Sequence, residues 1–223
     1  HHSTACGAGR PRYASSLVGQ QRNAMIRTFL AVEVTDAVRT GISQIQQDLK
    51  QGLAGHLTKD IRMAWGQPNS IHLTIRFLGN TDKQLLDPMR EAMAIVRRSH
   101  PTIQIPLDRL QAFPNLQKPR VLWVGPSEQW RKSDAARQLT ALHQEIEACC
   151  HSLGFALDDK PFNPHLTLAR IKAGERQVGQ WLAQSGVCDR PLSLGEVQIG
   201  PLVLVKSSLR PTGPVYTKLW EVE

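Results

Sequence analysis

The tripeptide His-Leu-Thr occurs twice in this chain, and each copy sits inside an aliphatic run. The first run is Ile71-His72-Leu73-Thr74-Ile75-Arg76-Phe77-Leu78; the second is Pro164-His165-Leu166-Thr167-Leu168-Ala169-Arg170. Alternate side chains of a strand share a face. Strict alternation therefore turns Leu73, Ile75 and Phe77 into a core and presents His72, Thr74 and Arg76 together on the other face. In the second run Leu166 and Leu168 turn inward while His165 and Thr167 are presented. Arg170 falls on the buried side by the same count, where a structural ion pair is as good a reading as a phosphate clamp.

The segments around the two runs repeat the same plan: strand, long helix, motif strand, short helix, strand. Residues 27–34 alternate and are rich in β-formers. Thr35 is placed to cap a helix whose apolar residues Val38, Ile42, Ile45, Leu49 and Leu53 form one stripe. Residues 61–65 read as a strand, Leu85, Leu86, Met89, Met93 and Val96 as a second helix, and 102–112 as one strand. The second half opens with a strand at 120–125. It continues with a helix carrying Ala135, Leu139, Leu142, Ile146, Cys149 and Leu153, stopped by Gly154. A short helix at 175–183 and strands at 192–209 and 215–222 complete it. The pattern predicts an α+β fold of two pseudo-symmetric lobes, each an antiparallel sheet with outer helices, facing each other across a central cleft. The lobes correspond to about 25–118 and 119–223 of one domain, with room for strands to cross over. Residues 1–24 lack hydrophobic periodicity and begin His1-His2, so they read as a tag or an unstructured extension.

If the two motif faces oppose each other, the cleft holds two imidazoles and two hydroxyls. Imidazole gains and loses a proton near neutrality. A neutral histidine can take a proton from water while a protonated one gives a proton to a leaving oxygen. Threonine hydroxyls can hold phosphoryl oxygens and fix the phosphorus between the two rings. The residues themselves leave open which histidine is the acid. Neither motif brings a carboxylate, and His56, His100, His143 and His151 have no coordinating spacing, so no metal and no cofactor are expected. Cys149, Cys150 and His151 would splay around a helix rather than converge on zinc. There is no Walker loop and no dinucleotide fingerprint.

The chain is 41% hydrophobic and 21% charged, with no apolar run of the ~18–20 residues that a membrane span needs. Its net charge of +8 suits an anionic partner. Aromatics at 5% are too sparse for a broad base-stacking platform. The four cysteines, Cys6, Cys149, Cys150 and Cys188, have no CxxC pairing and read as reduced thiols of a cytoplasmic protein.

The paired motifs resemble the 2H phosphoesterase superfamily, whose mark is a doubled His-x-Thr-x. Several segments resemble its RNA 2′,3′-cyclic phosphodiesterase (2′-5′ RNA ligase) branch more closely. These are Arg27-x-Phe29-x-Ala31, His72 to Gly79, Arg120 to Gly125, Pro164 to Arg170, and Gly213-Pro-Val-Tyr216. The resemblance implies a metal-independent hydrolase that opens a terminal 2′,3′-cyclic phosphate to a 2′-phosphomonoester. It implies His72 as proton donor and His165 as proton acceptor, with Thr74 and Thr167 on the phosphoryl oxygens. Arg76 and Arg170 are candidate phosphate contacts, and Phe29 either stacks on the terminal base or packs its own strand. RNA ends, nucleoside 2′,3′-cyclic phosphates and tRNA fragments are the implied partners of a monomer. The alternatives are 2′-5′ joining of tRNA halves and a non-catalytic RNA-end-binding module.

Overall fold

A computed structural model describes residues 24–56 and 58–223. The extension read at 1–24, apart from Ala24, and the thiol of Cys6 lie outside the described residues. In chain order the elements are β1 (Met25–Val32), α1 (Asp36–Ala54), β2 (Arg62–Trp65), β3 (Leu73–Asp82), α2 (Leu86–Arg98), β4 (Ile103–Pro106) and β5 (Arg109–Phe113). Then follow β6 (Val121–Gly125), α3 (Asp134–Ser152), β7 (Leu166–Ala173), α4 (Glu175–Ser185), β8 (Glu196–Ile199), β9 (Leu202–Arg210) and β10 (Gly213–Val222).

The helices form where period and caps place them. The Thr35 hydroxyl accepts the Val38 amide at 3.2 Å, and all five predicted apolar residues of α1 are buried. Ser133 caps α3 in the same way through the Ala136 amide. On α3 the buried stripe ends at Cys150 rather than Cys149, four residues beyond Ile146, as the 3.6-residue turn dictates.

Two four-stranded sheets carry the fold, in the orders β10-β9-β1-β3 and β2-β7-β6-β5, with a small β4-β8 pair. Each large sheet draws on both halves of the sequence. β9 pairs with β1, while β5 and β2 join β6 and β7. The run at 102–112 is thus two strands in different sheets rather than one. Pro106, which has no N–H to extend a ladder, ends β4, and the chain turns at Leu107 and Asp108 before β5. The stretch at 192–209 divides likewise into β8 and β9, after Gly200 and Pro201.

The main core lies between the helices and the sheets. A second, smaller cluster of Phe29, Ala31, Val203 and Val205, with Tyr216 against it, occupies the opposite face of the first sheet. Among the described residues no helix is long and apolar enough to cross a membrane. Cys149, Cys150 and Cys188 are free thiols.

Candidate active site

β3 and β7 depart from strict alternation at the same place. In the ladder with β1, Leu30 faces Arg76 and Ala31 faces Thr74, so Ile75 has no partner. In the ladder with β6, Leu122 faces Ala169 and Trp123 faces Thr167, so Leu168 has none. Each is a β-bulge one residue after the motif threonine, and a bulge moves every later side chain to the other face. The carbonyls that the bulges free still need donors. Gln46, buried on α1, donates to Leu168 O at 3.0 Å and to Gly66 O at 2.8 Å. His143 on α3 lies beside the Ile75 backbone. The second motif strand is therefore tied by a polar side chain on a helix that belongs to the opposite half of the sequence.

The bulges correct three expectations. Arg76 does not join His72 and Thr74. It is 8% exposed, and its Nε donates to Glu147 Oε1 at 2.5 Å. Its two other guanidinium nitrogens donate to the carbonyls of Phe77 and Ala156. Phe77, expected in the core, is 67% exposed and lines a cleft. Arg170, the counterpart of Phe77 on β7, is exposed on that same cleft rather than buried.

That cleft has a volume of about 440 Å³, within the range of about 300–1,000 Å³ usual for small-ligand sites. His72, Thr74, His165, Thr167, Phe29 and Arg170 all line it. No carboxylate is among its described lining residues; Arg170 supplies the fixed charge, as an anionic ligand requires.

The two imidazoles are mounted alike. His72 Nδ1 donates to Ser70 O at 3.1 Å, and His165 Nδ1 donates to Asn163 O at 2.7 Å. Both bonds put the proton of the neutral ring on Nδ1 and leave Nε2 as the exchanging nitrogen. Each ring is also held edge-to-face by two aromatics from the sheet that carries its motif. Phe29 and Tyr216 stand at 6.1 and 5.9 Å from His72 between centroids. Phe113 and Trp123 stand at 5.0 and 5.8 Å from His165. Phe29 is 5% exposed, so it forms the floor of the cleft as well as packing its own strand.

Burial lowers the pKa of both histidines, against the opposing pull of their backbone hydrogen bonds. Nearby charge then distinguishes them. Arg39 lowers the His72 pKa further while the Glu33 carboxylate raises it, whereas Arg170 and Arg131 both lower that of His165.

Sequence reasoning missed Phe77, Tyr216, Phe113 and Trp123 as parts of the site. Tyr216 was within reach, since it closes the Gly213-Pro-Val-Tyr216 segment; the others are set by strand pairing. Among the described residues no group of three or more His, Cys, Asp and Glu is arranged to hold a metal ion.

The family model of the 2′-5′ RNA ligase superfamily matches residues 67–206. The chain is 30% identical to the RNA 2′,3′-cyclic phosphodiesterase of Archaeoglobus fulgidus over 87% of its length and 98% of that protein's. It is 27% identical to the protein of the same name from Aquifex aeolicus, over 88% and 96% of the two chains. Among solved structures, TT0787 of Thermus thermophilus superposes with a TM-score of 0.63 at 27% identity, covering 88% of this chain and 97% of that one.

Proposed function

The chain belongs to the 2′-5′ RNA ligase superfamily, and from that premise we propose that it is an RNA 2′,3′-cyclic phosphodiesterase working by two-histidine acid–base catalysis without a metal. The observation that carries this reading is one cleft lined by both histidines and both threonines, with each motif supplied by a different sheet. Nε2 of His165 takes a proton from water as its oxygen attacks the phosphorus. The P–O3′ bond breaks, and His72 gives its proton to the departing 3′-oxygen, leaving a 2′-phosphomonoester. Thr74, Thr167 and Arg170 hold the non-bridging oxygens. The direction of transfer rests on the family resemblance; His72 has Arg39 and Glu33, of opposite charge, near it, and His165 has two guanidiniums.

The test is incubation with an oligonucleotide ending in a 2′,3′-cyclic phosphate, in EDTA, with the product position determined. A 2′-phosphate formed at the rate seen without chelator is expected. A chelator-sensitive rate or a 3′-phosphate product contradicts the mechanism. Salt-sensitive binding without product indicates an RNA-end-binding module. A 2′-5′ linkage between paired RNA ends shows the same displacement running in reverse.

Two further outcomes follow from the site. Because burial lowers both histidine pKa values, both limbs of the kcat/KM profile shift to the acid side of imidazole's usual value of about 6.5. The anionic substrate favours protonated His72, so the alkaline limb of kcat lies at higher pH than that of kcat/KM. Coincident alkaline limbs in the two profiles contradict this.

Phe77, exposed beside Phe29 with centroids 5.9 Å apart, offers its face to the terminal base. Base stacking on an aromatic is worth about 1–3 kcal/mol, so Phe77→Ala is expected to raise KM by at least about fivefold. The exposed position makes the loss harmless to folding. Steady-state kinetics on a cyclic nucleotide decide, and an unchanged KM removes Phe77 from the base site.

A further inference from the structure

We infer that Arg39 and Arg131 are a matched pair of positioning residues, each bracing the loop whose backbone carbonyl fixes the proton of one motif histidine. The inference rests on the hydrolase reading for its kinetic consequences, but the bracing itself is a matter of geometry.

In the first lobe Nη1 of Arg39, half-buried on α1, donates to Pro68 O at 2.8 Å and reaches Ile71 O at 3.4 Å. Those carbonyls belong to the single 3₁₀ turn Pro68–Ser70 and the residue after it. Between them lies Ser70, whose carbonyl accepts from His72 Nδ1. In the second lobe Arg131, half-buried in the 3₁₀ turn that precedes α3, donates through Nη2 to Asn163 Oδ1. Asn163 is the residue whose carbonyl accepts from His165 Nδ1. Neither arginine is among the residues that line the cleft. Each comes from the segment after the first strand of its half, so the duplication that repeats the motif repeats its brace as well.

A guanidinium has fixed, forked donors and no deprotonated form in proteins, which suits it to hold a loop in one shape, through peptide carbonyls at Arg39 and through the Asn163 side chain at Arg131. Without it the loops before β3 and β7 can turn their carbonyls away. The neutral imidazole is then free to carry its proton on Nε2, the wrong tautomer for a base and an unfixed angle for an acid.

The same guanidiniums act on the rings through charge. The charged groups facing His72 are Arg39 and Glu33, the latter paired with Lys218 at 3.3 Å; those facing His165 are Arg131 and Arg170. Loss of the charge raises the pKa of the histidine that each brace serves, while loss of the carbonyl bond lowers it, and the carbonyl bond is the larger influence at both rings. If His165 is the base and His72 the acid, the two braces move different limbs of the pH profile.

The experiment compares wild type with Arg39→Met, Arg131→Met, Arg39→Lys and Arg131→Lys in the full chain. Wild type is first shown to turn over a nucleoside 2′,3′-cyclic phosphate. Both Met variants are expected to lose at least tenfold in kcat with KM within about threefold of wild type. Arg131→Met should move the acid limb of kcat/KM to lower pH, and Arg39→Met the alkaline limb, because the carbonyl bond outweighs the charge at each ring. The Lys variants keep the charge but lose the carbonyl bond, so their limbs move at least as far to lower pH, and kcat still falls because a single ammonium cannot reproduce the fork. Imidazole ¹⁵N shifts, read at a pH where the rings are neutral, should show a gain of the Nε2–H tautomer at His72 in Arg39→Met and Arg39→Lys and at His165 in the Arg131 variants. Folded variants with wild-type kcat, unmoved limbs and Nδ1–H histidines overturn the inference. Absence of turnover in wild type overturns the hydrolase reading instead, and the tautomer measurement then still decides for or against the braces.

Discussion

Alanine at His72 or at His165 is expected to lower kcat on a nucleoside 2′,3′-cyclic phosphate by about 10²–10⁴-fold in each case. KM should change little, because the threonines and Arg170 still hold the phosphoryl group. The double variant should be scarcely worse than the more damaged single one, since acid and base act in one displacement and groups that act as a unit are not additive. The imidazoles earn this expectation from their mounting. Each is half-buried, pinned at Nδ1 by a backbone carbonyl and held by two aromatic edges, with Nε2 left for proton exchange. A histidine kept only for packing would lose stability on truncation and leave kcat per folded molecule unchanged. Circular dichroism and active-site titration beside steady-state kinetics separate the two cases.

Arg76→Met is expected to cost about 3–5 kcal/mol of stability, the usual result of leaving one member of a buried ion pair unpartnered. For a chain of this size that corresponds to a fall in Tm of roughly 6–20 °C. The pair Arg76–Glu147 is buried on both sides, and Glu147 also accepts the Asp158 amide at 3.2 Å. Arg76 in turn holds the Ala156 carbonyl. One guanidinium thus ties the first motif strand to α3 and to the loop that leads into His165. Replacing both partners, as in Arg76→Met with Glu147→Leu, should recover part of the loss, and the coupling in the double-mutant cycle measures the pair. A Tm near that of wild type together with a raised KM would instead put Arg76 back on the substrate, where simple alternation places it.

That contrast shows where the sequence stops being informative. Helix faces, caps and the two motif strands were legible because they depend on local periodicity and on side chains a few residues apart. The bulges at Ile75 and Leu168 were not. They depend on register with β1 and β6 and, at Leu168, on a donor from Gln46, on a helix of the opposite half. A one-residue slip exchanges faces, so the same error misplaced Arg76, Phe77 and Arg170 while leaving His72, Thr74, His165 and Thr167 where alternation puts them. The division of 102–112 between two sheets was hidden for a related reason, since which sheet a strand joins is decided by long-range pairing. Family resemblance supplied the roles of acid and base.

The central claim is that imidazoles from two sheets flank one phosphorus, and a crystal structure with a nucleoside 2′,3′-cyclic vanadate tests it most directly, because five-coordinate vanadium imitates phosphorus during displacement. The account predicts vanadium between the two rings, with His72 Nε2 on the 3′-oxygen, His165 Nε2 on the oxygen opposite it, and both threonine hydroxyls on the equatorial oxygens. Vanadate bound against only one imidazole, or seated away from both, would contradict it.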